Sequence, residues 1–184
     1  MENQSIAYGL MKDKETWTEI REWWRKVIER RGDRALLRRC QAPHGVLLCA
    51  SFYELKETLP RWPHGQMISL AAIAGLLSHV NAHDPGRSFP SQLGTPKTKD
   101  GNVPMSESRF RQLIKSRNWE EFYFRMRRAV MLLKRNANIT SMSKFTLQFG
   151  LEQQGHVPQA PSKGFQFRMA DEYYSPAKLN GKND

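Results

Sequence analysis

The part of the chain that decides the fold opens with Ser106-Glu107-Ser108-Arg109-Phe110-Arg111-Gln112-Leu113-Ile114-Lys115 and runs to Gly150. No proline or glycine interrupts residues 106–149, so we expect helices joined by short turns. When residues 119–135 are placed on a helix at about 100° per residue, their apolar side chains share one arc. That arc is formed by Phe122, Met126, Ala129, Val130 and Leu133. The pattern therefore predicts an α-helix with one face in a core.

The surface outside this arc is strongly basic. Residues 106–135 contain nine basic and three acidic side chains, a net charge of +6, and seven of the nine are arginines. Arginine suits bidentate contact with phosphate, whereas a surface that serves only solubility usually interleaves both signs. Residues 21–39 form a second basic patch, with eight basic and three acidic side chains. Solvated helix surfaces without a partner would also explain both patches, and the sequence does not show whether they share a face.

The whole chain points in the same direction. It has 184 residues, a net charge of +11 and a pI near 10.0, which favour nucleic acid first and an anionic membrane second as partner. The longest apolar run, from Met67 to Val80, is too short to span a bilayer, and no signal peptide is expected at the N-terminus. Cys40 and Cys49 are expected to be small buried side chains in a reducing cytoplasm.

Local signals divide the N-terminal part into helices. Thr16 with Glu19 fits a capping box, which predicts a helix that starts at Thr16. Trp23 lies at the edge of that helix's apolar arc, and we expect it in the core rather than against a partner. Gly32 is expected to end the helix and Asp33 to cap the next one. Residues 67–83 form the most apolar helix, expected at the centre of the N-terminal core.

The predicted fold is all-α, with two small helical-bundle halves joined by a long loop. The N-terminal half is residues 1–83, and the C-terminal half is residues 105–184, ending in a flexible basic tail. Residues 84–104 are rich in proline and glycine and show no apolar period, so they are expected to be a linker or a functional loop.

Catalytic chemistry is not expected. The chain has neither a Walker-type nor a dinucleotide-type glycine loop. His79 and His83 are four residues apart, with Asp84 adjacent, but two ligands at one helix end are weak support for a metal site. Glu54-Leu55-Lys56 echoes a nuclease triplet without a paired acid nearby. We predict no enzyme activity, no metal and no cofactor.

Three motifs in this sequence resemble the CasB family, the small subunit of the type I-E CRISPR surveillance complex, Cascade. The first is the run Ser106–Lys115 followed by Arg127-Arg128 inside an apolar helix. The second is Asp33-Arg34-Ala35-Leu36-Leu37-Arg38-Arg39, and the third is Arg168-Met169-Ala170-Asp171-Glu172-Tyr173-Tyr174. They occur in the family's order, and the resemblance implies that residues 165–174 pack as a closing helix.

The resemblance implies a non-catalytic, cytoplasmic Cascade subunit that holds sugar-phosphate backbones and stabilises the R-loop. Its implied partners are CRISPR RNA, both strands of target DNA, the backbone and large subunits, and a second copy of itself, with no membrane. Residue-by-residue matching assigns nucleic-acid contact to six positions: Arg38, Arg39, Arg109, Lys115, Arg117 and Arg127. Phe124 and Met131, on the far side of their helix, are expected either to pack against another subunit or to be covered by the N-terminal half.

Two other functions remain open. The segment Arg34–Arg39 can be placed in a helix-turn-helix of a free-standing DNA-binding regulator, although the C-terminal patch then has no role. The chain can also be an assembly adaptor whose basic surface meets acidic proteins without contacting nucleic acid.

Overall fold

The computed structural model describes residues 9–96 and 101–175. The predicted flexible tail beyond residue 175 lies outside the described residues. The helices of the N-terminal part are α1 (Lys14–Glu29), α2 (Arg31–Arg39), α3 (Pro43–Val46), α4 (Ala50–Thr58), α5 (Met67–Leu77) and α6 (Phe89–Gly94). Those of the C-terminal part are α7 (Glu107–Ile114), α8 (Trp119–Leu132), α9 (Ile139–Gln153) and α10 (Phe165–Tyr174). Short 3-10 turns occupy His64–Gln66 and Pro161–Lys163.

The all-α prediction is confirmed, and the described residues add only one short pairing of strands. Strand β1 (Ala82–His83) lies parallel to β2 (Asn136–Ala137), with Ala82 opposite Asn136. The pairing joins the segment that follows α5 to the segment that follows α8. It therefore fixes the ends of these two helices beside each other.

Helix α5 is the centre of the core. Its residues from Ser69 to Leu77 are all buried, and it packs against α3, α8 and α9. The prediction of a helix up to residue 83 was too long. The helix ends at Leu77 because the following backbone bonds elsewhere: the Asn81 amide donates to the carbonyl of Arg135 at 2.7 Å. Tertiary hydrogen bonds thus replace the last helical turns.

The predicted arc of α8 is confirmed, since Phe122, Met126, Ala129, Val130 and Leu133 are all at most 1% exposed. The side chain of Asn118 caps the helix by accepting a hydrogen bond from the Glu121 amide at 2.9 Å. The helix ends at Leu132, before residue 135. Lys134 and Arg135 then adopt left-handed backbone angles, with φ of 55° and 63°.

Two predictions about the N-terminal helices are wrong in detail. Helix α1 starts at Lys14, because the carboxylate of Asp13 accepts hydrogen bonds from both the Glu15 amide and the Thr16 hydroxyl. Thr16 is thereby inside the helix and is not its cap. The break between α1 and α2 falls at Arg30, so Gly32 and Asp33 lie within α2.

The side chain of Trp23 lies in the core, as predicted. It is 4% exposed, and its Nε1 donates to the carbonyl of Ser51 at 2.9 Å. The indole therefore packs its apolar surface without leaving its polar group unpaired.

The segment 84–104 contains the helix α6, whose Phe89 and Leu93 are wholly buried. Helix α6 packs against α10, the closing helix that the family resemblance implied and that the structure confirms. Tyr173 on α10 donates its hydroxyl hydrogen bond to the carbonyl of Met105 at 2.7 Å. The division of the chain into two halves at this segment stays a prediction.

Candidate nucleic-acid interface

The six predicted contact residues lie on three parts of the fold. Arg38 and Arg39 end α2, Arg109 lies on α7 with Lys115 and Arg117 just beyond it, and Arg127 lies on α8. The side chains of Arg39, Arg109, Lys115 and Arg117 are exposed, whereas Arg38 and Arg127 are half-buried. Arg38 and Arg127 are therefore held against the fold, whereas the other four side chains extend into solvent.

Arg38 and Arg127 meet at the end of α5, together with two arginines that were not among the six. We call Arg34, Arg38, Arg127 and Arg135 the arginine cluster. All four lie electrostatically close to the imidazole of His79. Sequence reasoning had placed Arg34 in the second family motif and in the helix-turn-helix alternative, and Arg135 among the surface charges. Neither assignment indicated that the two residues meet, because they are about a hundred positions apart in the chain.

The α5 end holds the first two guanidinium groups. The Nε atoms of Arg34 and Arg38 both donate to the carbonyl of Ser78, at 2.9 and 2.8 Å. Nη2 of Arg34 also donates to the carbonyl of Val80 at 2.9 Å and to Oδ1 of Asn81 at 2.6 Å. Backbone carbonyls at a helix C-terminus carry partial negative charge. They hold these two cations in fixed positions without neutralising them.

The other two arginines approach from α8. Nη1 of Arg127 donates to Oε1 of Gln41 at 3.1 Å, and its guanidinium lies 5.8 Å from the centre of the Tyr123 ring. Arg135 is positioned by its backbone, since its carbonyl accepts hydrogen bonds from the amides of Asn81 and Ala82. The pairing of β1 with β2 therefore holds Arg135 beside the segment that Arg34 and Arg38 contact.

The arginine cluster has no acidic partner in the described part of the chain. The ion pairs there involve Arg30, Arg61, Arg111 and Arg125, and none involves a member of the cluster. Burial lowers the pKa of Arg34 and of Arg38, and the positive charge of Arg135 lowers both further. Guanidinium groups nevertheless remain charged in proteins. The cluster is consequently a concentrated and unbalanced positive charge.

The pKa of His79 reflects this concentrated positive charge. Its side chain is 6% exposed. Burial, followed by the positive charges of the four cluster arginines, lowers its pKa to about 4. The imidazole is therefore neutral at neutral pH, and it adds no charge of its own to the cluster.

A second basic surface lies between α7 and α8. A cavity of about 450 Å³, which we call the α7–α8 groove, is lined by Arg109, Arg128, Phe124, Met131 and other side chains. Arg125 also lines it but is ion-paired with Glu121 at 2.7 Å. Arg109 and Arg128 have no such partner among the described residues. The groove thus combines apolar walls with two unbalanced cations.

The apolar walls decide between the two expectations for Phe124 and Met131. Phe124 is 52% exposed and Met131 is 49% exposed, so the expectation that the N-terminal half covers them is wrong. The α8 surface that carries them is turned away from α5 and towards solvent. Contact with another subunit stays a prediction.

The histidines and cysteines form no metal centre in the residues that the structure describes. Nδ1 of His83 accepts a hydrogen bond from the Ile139 amide at 3.2 Å, so it supports the start of α9. Cys40 and Cys49 are free thiols whose sulfurs lie 3.9 Å apart, with Cys49 buried and Cys40 half-buried. No helix of the described chain is long and apolar enough for a membrane span.

Comparison with known proteins places the chain in a family. The family model described as CRISPR-associated protein Cse2 matches residues 33–174. This range begins within α2, where the second basic patch ends, and extends to the last residue of α10. Among curated proteins and among solved structures, no match was found. The all-α fold and the match over most of the chain lead to the same identification. The chain belongs to the Cse2 family, the structural small subunit of the type I-E CRISPR complex Cascade, which is not known to be catalytic.

Proposed function

We propose that this Cascade subunit binds the sugar-phosphate backbones of guide RNA and target DNA and stabilises the displaced strand, without catalysing a reaction. The observation that carries the proposal is the arginine cluster, which has four guanidinium groups and no carboxylate partner in the described residues. Such a surface attracts a polyanion and reads no base sequence.

Stabilising the R-loop requires only modest binding energy. Replacing a DNA duplex by an RNA–DNA duplex is close to balanced in free energy, so contacts that hold the displaced strand shift the equilibrium towards opening. Single strands bind in positively charged grooves that follow the backbone. The arginine cluster and the exposed Arg39, Arg109, Lys115 and Arg117 supply positive charge for such a path.

The proposed setting is the cytoplasm. The proposed partners are CRISPR RNA, both strands of the target, the backbone and large subunits of Cascade, and a second copy of this chain. The α7–α8 groove supports a protein contact in particular, because aromatic, methionine and arginine side chains are enriched in protein interfaces. Phe124, Met131 and Arg128 supply all three types.

The first experiment measures binding of the purified protein to single-stranded DNA, duplex DNA and RNA by fluorescence anisotropy across a salt series. We expect sequence-independent binding that weakens steeply with salt. The variant with Arg38→Ala, Arg109→Ala and Arg127→Ala should show a flatter slope, by roughly 0.7 for each lost contact with a single strand.

A matched control removes three positive charges elsewhere. The variant with Lys56→Ala, Arg61→Ala and Arg111→Ala loses exposed side chains, of which Arg61 and Arg111 are ion-paired. It should keep a slope close to that of the wild type. Equal flattening in both variants would show that net charge, and not a positioned path, drives the binding.

Two further outcomes select the other functions. Binding to one DNA sequence far above all others would identify a free-standing regulator. No binding to any nucleic acid at low salt would identify an assembly adaptor. In the assembled complex, Arg109→Glu with Arg127→Glu should weaken strand opening while the circular dichroism spectrum of the subunit stays unchanged, and unaltered strand opening would refute the assignment of these residues.

A further inference from the structure

We propose that the arginine cluster is a preformed binding site for one phosphate group, in which Arg34 and Arg135 bind the phosphate together with Arg38 and Arg127. The inference rests on the proposed function for its ligand, a phosphodiester of a nucleic-acid backbone. It goes further by assigning two additional residues and a single discrete site beside His79.

The first argument is the supply of free hydrogen-bond donors. A guanidinium group has five N–H donors. Arg34 and Arg38 use Nε and Nη2 in the hydrogen bonds that the structure shows, which leaves both Nη1 groups without a protein acceptor. Arg127 uses Nη1 only. A phosphate oxygen is the acceptor that matches such donors, and arginine can bind it in bidentate fashion.

The second argument is a pair of buried polar atoms at the same place. Nη1 of Arg135 and Nε2 of His79 are both buried and have no hydrogen-bond partner in the described structure. Buried polar groups without partners are rare in native proteins, and each one calls for an explanation. The four cluster arginines act on the imidazole of His79, so an anion bound to the cluster would balance the positive charge around both atoms.

The third argument is that the site is fixed before a ligand arrives. The carbonyl of Ser78 holds Arg34 and Arg38, and the amide of Asn81 holds the backbone of Arg135. Arg135 adopts a left-handed φ of 63°, which is unfavourable for a residue other than glycine. Such backbone angles persist where the surrounding structure enforces them, and they concentrate at functional sites.

The α7–α8 groove provides a contrast within the same chain. Its Arg109 and Arg128 are exposed, whereas every cluster arginine is half-buried. Charges that are partly removed from water interact more strongly with an anion and are less screened by salt. We therefore assign the phosphate site to the cluster and not to the groove.

His79 supplies a direct readout, because a bound anion offsets the arginine charges that act on its imidazole. The imidazole resonances of His79 would be followed by NMR as a function of pH, without ligand, with inorganic phosphate, and with a short oligothymidylate. The charged groups that act on the imidazole are the four cluster arginines. We expect each ligand to raise the pKa of His79 from about 4 by about one unit.

Variants separate the site from general charge effects. In the variant Arg135→Gln, the shift caused by phosphate should fall to less than half. The fold should be retained, because the side chain of Arg135 makes no hydrogen bond within the described structure, and the amide spectrum checks this. Arg34→Gln should act in the same way. The matched pair Arg109→Gln and Arg128→Gln, in the groove, should leave the shift unchanged.

The outcomes distinguish this inference from the proposed function. Salt-dependent binding of oligothymidylate with an unchanged pKa of His79 would overturn the phosphate site and leave the proposed function standing. A shift with phosphate, but none with the oligonucleotide, would show a site for the free anion and overturn its link to the backbone. A shift that persists in Arg135→Gln and Arg34→Gln would overturn the residue assignment.

Discussion

The hydroxyl of Tyr123 on α8 occupies the space beside Gly75 on α5 where any other residue would carry its Cβ atom. The two helices can approach this closely only because residue 75 has no side chain. The hydroxyl is buried and has no hydrogen-bond partner in the described structure, and burial raises the pKa of Tyr123. The contact joins the N-terminal part of the core to the C-terminal part.

The substitution Gly75→Ala is expected to destabilise the protein by about 3 kcal/mol, because its methyl group would overlap the Tyr123 hydroxyl and press on Cγ2 of Val46. The free energy of unfolding from urea denaturation measures the effect. Tyr123→Phe removes an unpaired hydroxyl and should change stability by less than about 1 kcal/mol. Gly75→Ala added to Tyr123→Phe should then cost less than it does alone. Equal costs in both backgrounds would show that the hydroxyl does not set the helix separation.

Gly94 at the end of α6 faces a similar constraint, since a Cβ atom there would overlap the backbone carbonyl of Tyr173 on α10. A backbone atom cannot turn aside as a side chain can, so Gly94→Ala should cost about 3 kcal/mol or more. Gly32→Ala is the matched control. Gly32 lies within α2 with nothing within 4 Å of its Cβ position, and its replacement should stabilise by about 0.5–1 kcal/mol. Thermal unfolding of the two variants should move in opposite directions, and a shift of the same sign would contradict the packing of α6 on α10.

The free energy of unfolding should decrease as the pH falls, because His79 takes up a proton when the chain unfolds. Its folded pKa of about 4 lies below the ordinary value of 6.5, so the unfolded chain binds more protons between these two values. The contribution of His79 is therefore complete at neutral pH and decreases as pH falls through 6.5 towards 4. At about pH 5 the loss should be on the order of 2 kcal/mol. The measurement compares urea unfolding of the wild type at neutral pH and at about pH 5 with that of His79→Gln, which cannot titrate. A pH dependence of equal size in both proteins would exclude His79 as its source.

Lys134 follows α8 with a φ of 55° and an exposed side chain, so its Cβ atom bears the steric cost of a left-handed backbone in the turn that ends the helix. Lys134→Gly should stabilise the protein by about 1 kcal/mol, because glycine adopts this conformation freely. Lys134→Ala removes the same charge but keeps the Cβ atom, and it should give little or no gain. Calorimetric melting temperatures of the two variants test the difference, and an equal gain in both would assign the effect to charge.

The sequence predicted the helices better than the site. The buried arc from Phe122 to Leu133 was accessible because a helical period is a local property of the chain. The bounds at Thr16 and Gly32 were wrong because capping depends on which nearby side chain reaches the free amides, and Asp13 lies one turn earlier than the predicted cap. Helix α6 was missed because six residues between prolines and glycines show no period of their own.

Only two of the four residues of the arginine cluster were predicted as contact residues, for a different reason. Arg38 and Arg127 were named from a family resemblance, whereas Arg34 and Arg135 join them through the end of α5 and the pairing of β1 with β2. A contact of that kind depends on where distant segments meet, which no local pattern encodes. The one available signal was the excess of arginine over lysine in both basic patches.

The burial of Phe89 and Leu93 against α10 has a consequence for biosynthesis. Helix α6 precedes α10 by some seventy residues in the chain, so during translation the surface of α6 that packs against α10 stays uncovered until α10 emerges from the ribosome. Contacts between distant segments form late and slow the folding of a domain. The nascent subunit therefore exposes this surface while the roughly seventy residues between the two helices are made, and α10 is the last of the described helices to join the core.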